Sequence, residues 1–277
     1  AQLYFDEMNL TRVGIGHPDR DIYFSSKGHD VPGHYAVLYA LGIIPRERFI
    51  NLRRLGGTHG HPDLNVPGME ANTGSLGMGI SKAKGMAWAK AFKGHHGRVF
   101  VMTGDGELQE GQIWESLQST AHQQINNVSV IVDGNKFQSD KMLDEIVSLG
   151  DLDSKFKAFG WYVERCDGHD FEAMARVFER FKAITDKPKV LIADTVKGKG
   201  ISFMEGPVAV EGHGVAELLP RRGVKGVELG DARPSTVAVS VEQALEPQLP
   251  GNSRNSWVAR FGPKARKGSA AHSILPP

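Results

Sequence analysis

The sequence has almost no cysteine. Cys166 stands alone among 277 residues, which excludes an intrachain disulfide and argues against a cysteine-built zinc site. An excess of charge is also missing. Lys and Arg number 33 and Asp and Glu 32, a net charge of +1, so the composition makes no electrostatic case for a nucleic-acid or anionic-membrane partner. No apolar run approaches the roughly 18 residues of a membrane span. The opening residues, AQLYFDEMNLTRVG, set acids among short apolar stretches and do not read as a signal peptide. A soluble, cytoplasmic protein is the expectation. What the chain does have is glycine and histidine, 33 and 11 of them, and much of both falls in a few short clusters, which points toward a site.

The pattern along the chain places those clusters. Val31 to Leu41, Pro45 to Leu55 and Asn72 to Phe92 carry apolar residues at helical spacing, and residues 56–71 hold too much Gly and Pro for regular structure. From Arg98 onward strands and helices alternate. RVFVMT at 98–103, VSVIV at 128–132, Trp161 to Arg165 and Val190 to Thr195 read as strands; Glu110 to Gln123, residues 151–159 and Asp170 to Ile184 read as helices. That alternation predicts an α/β fold with a parallel sheet and crossover helices. Ligands of such a sheet bind at the carboxyl ends of its strands. The first 30 residues read as loop with a short helical start. Residues 214–277 show no buried-strand pattern and are expected to be a poorly ordered tail, so the domain is expected to span residues 1–213.

The most informative cluster is TGDGELQEG at 103–111, followed by DGN at 133–135. Asp105 and Asn135 each follow a predicted buried strand, and one β-α-β unit separates them. Gly104 and Gly106 let the backbone come close to an anion and point N–H groups at it. A carboxylate, an amide oxygen and a neighbouring backbone carbonyl form a half-shell of hard oxygens, suited to Mg²⁺ completed by diphosphate and water. Gly-Asp-Gly alone is a common surface turn. The paired asparagine after the next strand is what favours the functional reading. Histidines near neutral pKa suit proton transfers to and from hydroxyls. His59, His95, His96 and His122 lie in no motif and read as solvated or capping residues; Cys166 reads as a small buried hydrophobe.

Gly-Asp-Gly with Asn about 30 residues on is the thiamin-diphosphate signature, and GDGELQEGQIWES closely resembles its transketolase version. SSKGH at 25–29, GHPDLNVPGMEANTGSLGMGIS at 60–81, VDGNKFQSD at 132–140 and KGKGISFMEG at 197–206 each resemble the corresponding transketolase segment, in order. The resemblance covers residues 1 to about 213 and is closest to the N-terminal subunit of transketolases split into two chains. It implies the thiamin-diphosphate-binding fold, with helices on both faces of the sheet. It implies that Asp105, Asn135 and the Phe137 carbonyl hold Mg²⁺, and that Gly106 donates to the diphosphate. It also implies that Gly74 and Leu76 contact the aminopyrimidine ring. His29 and His61 match histidines facing cofactor and substrate, and His213, in VEGHG, matches one near the diphosphate and acceptor sugar. Glu110 matches a glutamate buried at a subunit interface and linked to the second active site.

The resemblance further implies two-carbon ketol transfer between sugar phosphates and a partner subunit carrying the pyrimidine-binding domain, which supplies the glutamate that activates the cofactor. Homo-association through the diphosphate-binding domain would give a heterotetramer. Met78, Ile80, Met86 and Trp88 on the long helix are expected to form an exposed interface. Asp105 is expected at a surface turn whose loss spares the fold. His17, in GIGHPDRD, looks like the family's early Gly-His-Pro histidine but lies eight residues before SSKGH, so it is not counted as catalytic. The alternatives are a deoxyxylulose-phosphate synthase type of enzyme and a non-catalytic transketolase paralogue.

Overall fold

The computed structural model describes residues 1–139, 141–201 and 205. Five parallel strands form the central sheet: β1 (Ile22–Ser25), β2 (Val99–Gly104), β3 (Val128–Gly134), β4 (Tyr162–Asp167) and β5 (Lys189–Asp194). Their spatial order is β1-β2-β3-β5-β4. The flanking helices are α1 (Val31–Ala40), α2 (Arg46–Ile50), α3 (Gly79–Phe92), α4 (Gly111–His122), α5 (Leu152–Ala158) and α6 (Phe171–Ala183). Among the described residues no helix is long and apolar enough to cross a membrane.

The continuous apolar runs are explained by two cores, one on each face of the sheet. Val99, Val101, Val130, Val132, Val190 and Ile192 point to one face, where they meet Ile80, Ala83 and Ala87 of α3 and Ile113 and Leu117 of α4. Phe100, Ile131 and Leu191, one residue out of step, point to the other, where α1 and α6 supply Tyr35, Leu38, Val177, Phe178 and Phe181. The chain steps along the sheet from β2 to β3 through α4 and steps back from β4 to β5 through α6. Right-handed crossovers in opposite directions put those helices on opposite faces.

The predicted elements from residue 98 onward are present within a residue or two at most ends. Earlier in the chain the structure departs from expectation at several places. The short strand β1 went unpredicted, since IYFS is only four residues between polar neighbours. The second helix stops at Ile50, and Arg53 (φ 60°) takes a left-handed conformation that no helix continues through. The long helix starts at Gly79, after Gly77 at φ +83°. Ile80 is fully buried and Met86 packs partly against the core, so neither belongs to an exposed face. Met78 and Trp88 are exposed, Trp88 stacking on Phe92 with ring centroids 5.2 Å apart. Cys166 is half-buried on edge strand β4. The expected tail at 214–277 lies outside the described residues.

His34 on α1 is buried and bonds to the Tyr4 hydroxyl at 2.7 Å, with the Tyr23 ring edge-on at 5.0 Å. Burial pushes its pKa from the ordinary 6.5 down to about 3. The folded chain therefore keeps His34 neutral while the unfolded chain takes up a proton below about pH 6.5. Its contribution to stability is present at neutral pH and is lost as pH falls from there toward 3. Between about pH 7 and pH 5 this group alone removes about 2 kcal/mol. Denaturant unfolding at those two pH values should show a smaller difference in His34→Gln than in the wild type; an unchanged difference would exclude His34 as its source.

Candidate active site

The strand ends fix the site. β2 and β3 pair in parallel with Gly104 opposite Asp133, so the residues that follow, Asp105 and Asn135, leave the same edge of the sheet side by side. Asp105 is buried, with 3% of its surface exposed, which corrects the expected surface turn. One carboxylate oxygen accepts from the Gly106 N–H at 2.8 Å and the other from the Lys136 N–H at 2.5 Å, so Asp105 ties its own loop to the one after β3. Burial is the largest influence on its pKa and holds it above the ordinary carboxylate value, against the two N–H bonds. Asn135 donates to Asp133 at 3.1 Å, and its carbonyl oxygen accepts from the Phe137 N–H at 2.9 Å. Phe137 lies between two left-handed residues, Lys136 (φ 66°) and Ser139 (φ 55°).

Residues that carry no role in the sequence motifs hold these loops. Lys27, buried, reaches Asp133 at 2.6 Å and Asp30 at 3.6 Å. Asp133 also accepts from Thr195. Burial opposes the charge on Asp133, but Lys27 and the hydrogen bonds outweigh it and bring its pKa below the ordinary value. Glu107, 3% exposed, accepts from Ser26 Oγ, from the Gly77 N–H at 2.8 Å and from the Gly104 N–H at 3.2 Å. The last bond is a correction. The Gly104 N–H turns inward to Glu107 and is not aimed at an incoming anion, and the Gly106 N–H is engaged by Asp105. The signal for Asp133 was present in VDGN, a charged residue directly after the apolar run of a predicted strand, whereas Lys27 in SSKGH follows β1, which carried no such signal.

The remaining motif residues gather at this edge through close backbone packing. A Cβ on Gly28 (φ +70°) would lie 2.7 Å from the Gly74 Cα, so the SSKGH and TGSLG loops touch backbone to backbone. A Cβ on Gly74 would lie 2.6 Å from the His61 ring, which places that exposed imidazole over the TGSLG loop. Thr73 Oγ1 donates to the Ser25 carbonyl at 2.7 Å, locking the same two segments. His29 is exposed on its loop, its Nδ1 3.1 Å from the Lys27 carbonyl oxygen. Leu76 is 40% exposed. Glu110, at the N-terminus of α4, is exposed in the single chain. A cleft of about 250 Å³, lined in part by Asp105, Gly134, Lys136, Arg165 and Asp194, opens at the ends of β2, β3, β4 and β5. His17 lies before β1, at the opposite end of that strand, with its Nδ1 accepting from the Asp19 N–H. His213 lies outside the described residues.

A family model described as the thiamine diphosphate binding domain of transketolase matches residues 13–220. The chain belongs to this family. It is 39% identical over 208 residues to an apulose-4-phosphate transketolase subunit of Actinobacillus succinogenes, covering 74% of this chain and 75% of that protein. It is 36% identical over 230 residues to a 6-deoxy-6-sulfo-D-fructose transketolase subunit of a Clostridium species, covering 82% and 84%. Among solved structures it is similar to the transketolase of Pichia stipitis in complex with sedoheptulose 7-phosphate, with a TM-score of 0.64 and 26% identity over 88% of this chain. The chain spans about two fifths of the length of that transketolase, 38%.

In a transketolase-family domain the packing at Gly28 becomes testable. Gly28→Ala puts a Cβ into backbone at a left-handed position and should cost about 1–3 kcal/mol. Gly33→Ala on α1, where a Cβ meets nothing within 4 Å, should be neutral or stabilise by up to about 1 kcal/mol. Chemical denaturation of both variants checks the contrast; equal effects would contradict the close contact between the two loops.

Proposed function

We propose that this chain is the diphosphate-binding subunit of a transketolase that transfers a two-carbon ketol unit from a ketose phosphate to an aldose phosphate. The observation that carries the reading is the placement of Asp105 and Asn135 at neighbouring strand ends, joined by the Asp105 to Lys136 bond. The donor set fits Mg²⁺. Asp105 gives a carboxylate whose oxygens each take one N–H bond and keep further lone pairs, and Asn135 Oδ1 and the Phe137 carbonyl add two hard oxygens. Among the described residues no group of three or more His, Cys, Asp or Glu side chains is arranged to hold a metal. A cation here would draw on this mixed set and on the diphosphate.

Bound thiamin diphosphate supplies a nucleophilic carbanion and an electron sink. The chain's residues bind and orient. Gly106 gives the backbone its close approach to the diphosphate, while Gly104 ends β2 beneath it with its N–H on Glu107. Gly74 and Leu76 lie against the aminopyrimidine end. His29, His61 and His213 hold and move protons at the sugar hydroxyls, a task suited to imidazole. Glu110, exposed here, becomes buried against a second copy of this domain. The activating glutamate comes from a partner with a pyrimidine-binding domain; relatives named as single subunits of a transketolase support that division. The anionic substrates in the relatives' names, apulose 4-phosphate and a sulfonated fructose, support a sugar substrate carrying an acidic group.

Two measurements test the proposal. Asp105→Ala should abolish Mg²⁺-dependent thiamin diphosphate binding in calorimetric titration of the reconstituted complex. It should also cost about 1–3 kcal/mol of stability, because it leaves the Gly106 and Lys136 N–H groups without their acceptor. Undiminished cofactor affinity would contradict the metal assignment. The purified chain alone should show no ketol transfer and should gain it when the partner subunit is added. Transfer by the isolated chain would overturn the two-subunit reading, and turnover only with pyruvate as donor would indicate the synthase type of reaction instead.

A further inference from the structure

Glu107 has no place in the functional assignment above, and its surroundings are unusual for a carboxylate. It is buried, and among the described residues no Lys, Arg or His forms an ion pair with it. A buried acid is costly unless its oxygens are met by donors. Here three donors meet them, and each comes from a different segment. Ser26 Oγ belongs to the loop after β1, the Gly77 N–H to the TGSLG loop, and the Gly104 N–H to the end of β2. Each of those segments also carries a residue assigned to the cofactor: His29 on the first, Gly74 and Leu76 on the second, Asp105 on the third. An apolar side chain could fill the same space at no electrostatic cost, but it would leave two backbone N–H groups and a hydroxyl without partners. The segments are drawn together tightly at this point, since a Cβ on Gly79 would lie 2.3 Å from Ser26 Cβ.

We infer that Glu107 is a positioning residue: its carboxylate holds the TGSLG loop at a fixed separation from the Asp105 loop and so sets the span between the two ends of the cofactor. The inference rests on the proposed function for its consequence and on the geometry alone for the clamp. Glu107→Gln keeps the shape but turns an N–H₂ donor toward one of the N–H groups, breaking part of the clamp. Ser26→Ala removes one donor and leaves the carboxylate, so it reports on the same clamp if Glu107→Gln fails to fold.

The experiment uses the full chain and two readouts. In amide hydrogen exchange without cofactor, Glu107→Gln should speed exchange by about tenfold or more at whichever of Gly77 and Gly104 faces the new NH₂, the equivalent of one charge-assisted hydrogen bond, with β3 amides such as Val130 unchanged. In titration with thiamin diphosphate and Mg²⁺ on the reconstituted complex, the dissociation constant should rise by a similar factor, while kcat at saturating cofactor stays within about twofold. Ser26→Ala should shift both in the same direction by less. Uniformly faster exchange across the sheet, or lowered kcat with unchanged cofactor affinity, would make Glu107 a merely structural residue and overturn the inference. If the wild-type complex itself binds no thiamin diphosphate, the functional reading fails, and the exchange pattern alone then decides the clamp: acceleration confined to the loops upholds it, and its absence overturns it.

Discussion

Parallel pairing of β2 with β3 is the constraint on which the rest of the site depends. The register sets Gly104 against Asp133, and the two strands then release their chains at the same edge. Nothing in Asp105 or Asn135 alone would bring them together. Thirty residues and a full helix separate them, and only the fixed register of two buried strands returns the second to the first. The apolar runs that force this register are indifferent to chemistry. They bury one residue of each pair against α3 and α4 and the next against α1 and α6. The site thus sits at the ends of strands buried on both faces, the kind of support from which a pre-organised constellation benefits most.

Three acids stand at that edge, Asp105 and Glu107 buried and Asp133 half-buried, and each is compensated differently. Asp133 has a cation, Lys27, and its pKa lies below the ordinary value. Glu107 has hydroxyl and amide donors and, among the described residues, no ion pair. Asp105 has two N–H donors and a pKa raised by its burial. Asp105, which sets only two backbone N–H bonds against its burial, is the one assigned to a cation. The opposite end of the sheet shows the contrast. There Glu7 and Asp21, both buried, share Arg98, with Lys182 adding to Glu7 at 3.1 Å, and the set closes on itself.

Much of this was legible in the residues. β2, β3 and β5 announced themselves as apolar runs, and Gly-Asp-Gly with a later Asn marked the strand ends from the residues alone. What escaped was of two kinds. Short elements carry too little pattern, as with the four residues of β1, or are cut short by a single backbone angle, as with Arg53 at φ 60°. Tertiary pairings carry no local signal at all. Lys27 meets Asp133 across 106 residues and Ser26 meets Glu107 across 81. A motif says that a charge stands at a strand end; it does not say which charge will face it. That is also why Gly104 reads in sequence as an anion donor and is found turned toward Glu107.

On the proposed function, these strand ends hold a metal and the diphosphate of thiamin diphosphate. Crystals of the chain with its partner subunit, grown with thiamin diphosphate and Mn²⁺ in place of Mg²⁺, test it most directly through the anomalous signal of manganese. One strong peak is expected at the end of β2 and β3, bonded to an Asp105 carboxylate oxygen, Asn135 Oδ1, the Phe137 carbonyl and diphosphate oxygens. Cofactor density with the manganese peak elsewhere, or with Asp105 still bound only to Gly106 and Lys136, would contradict it.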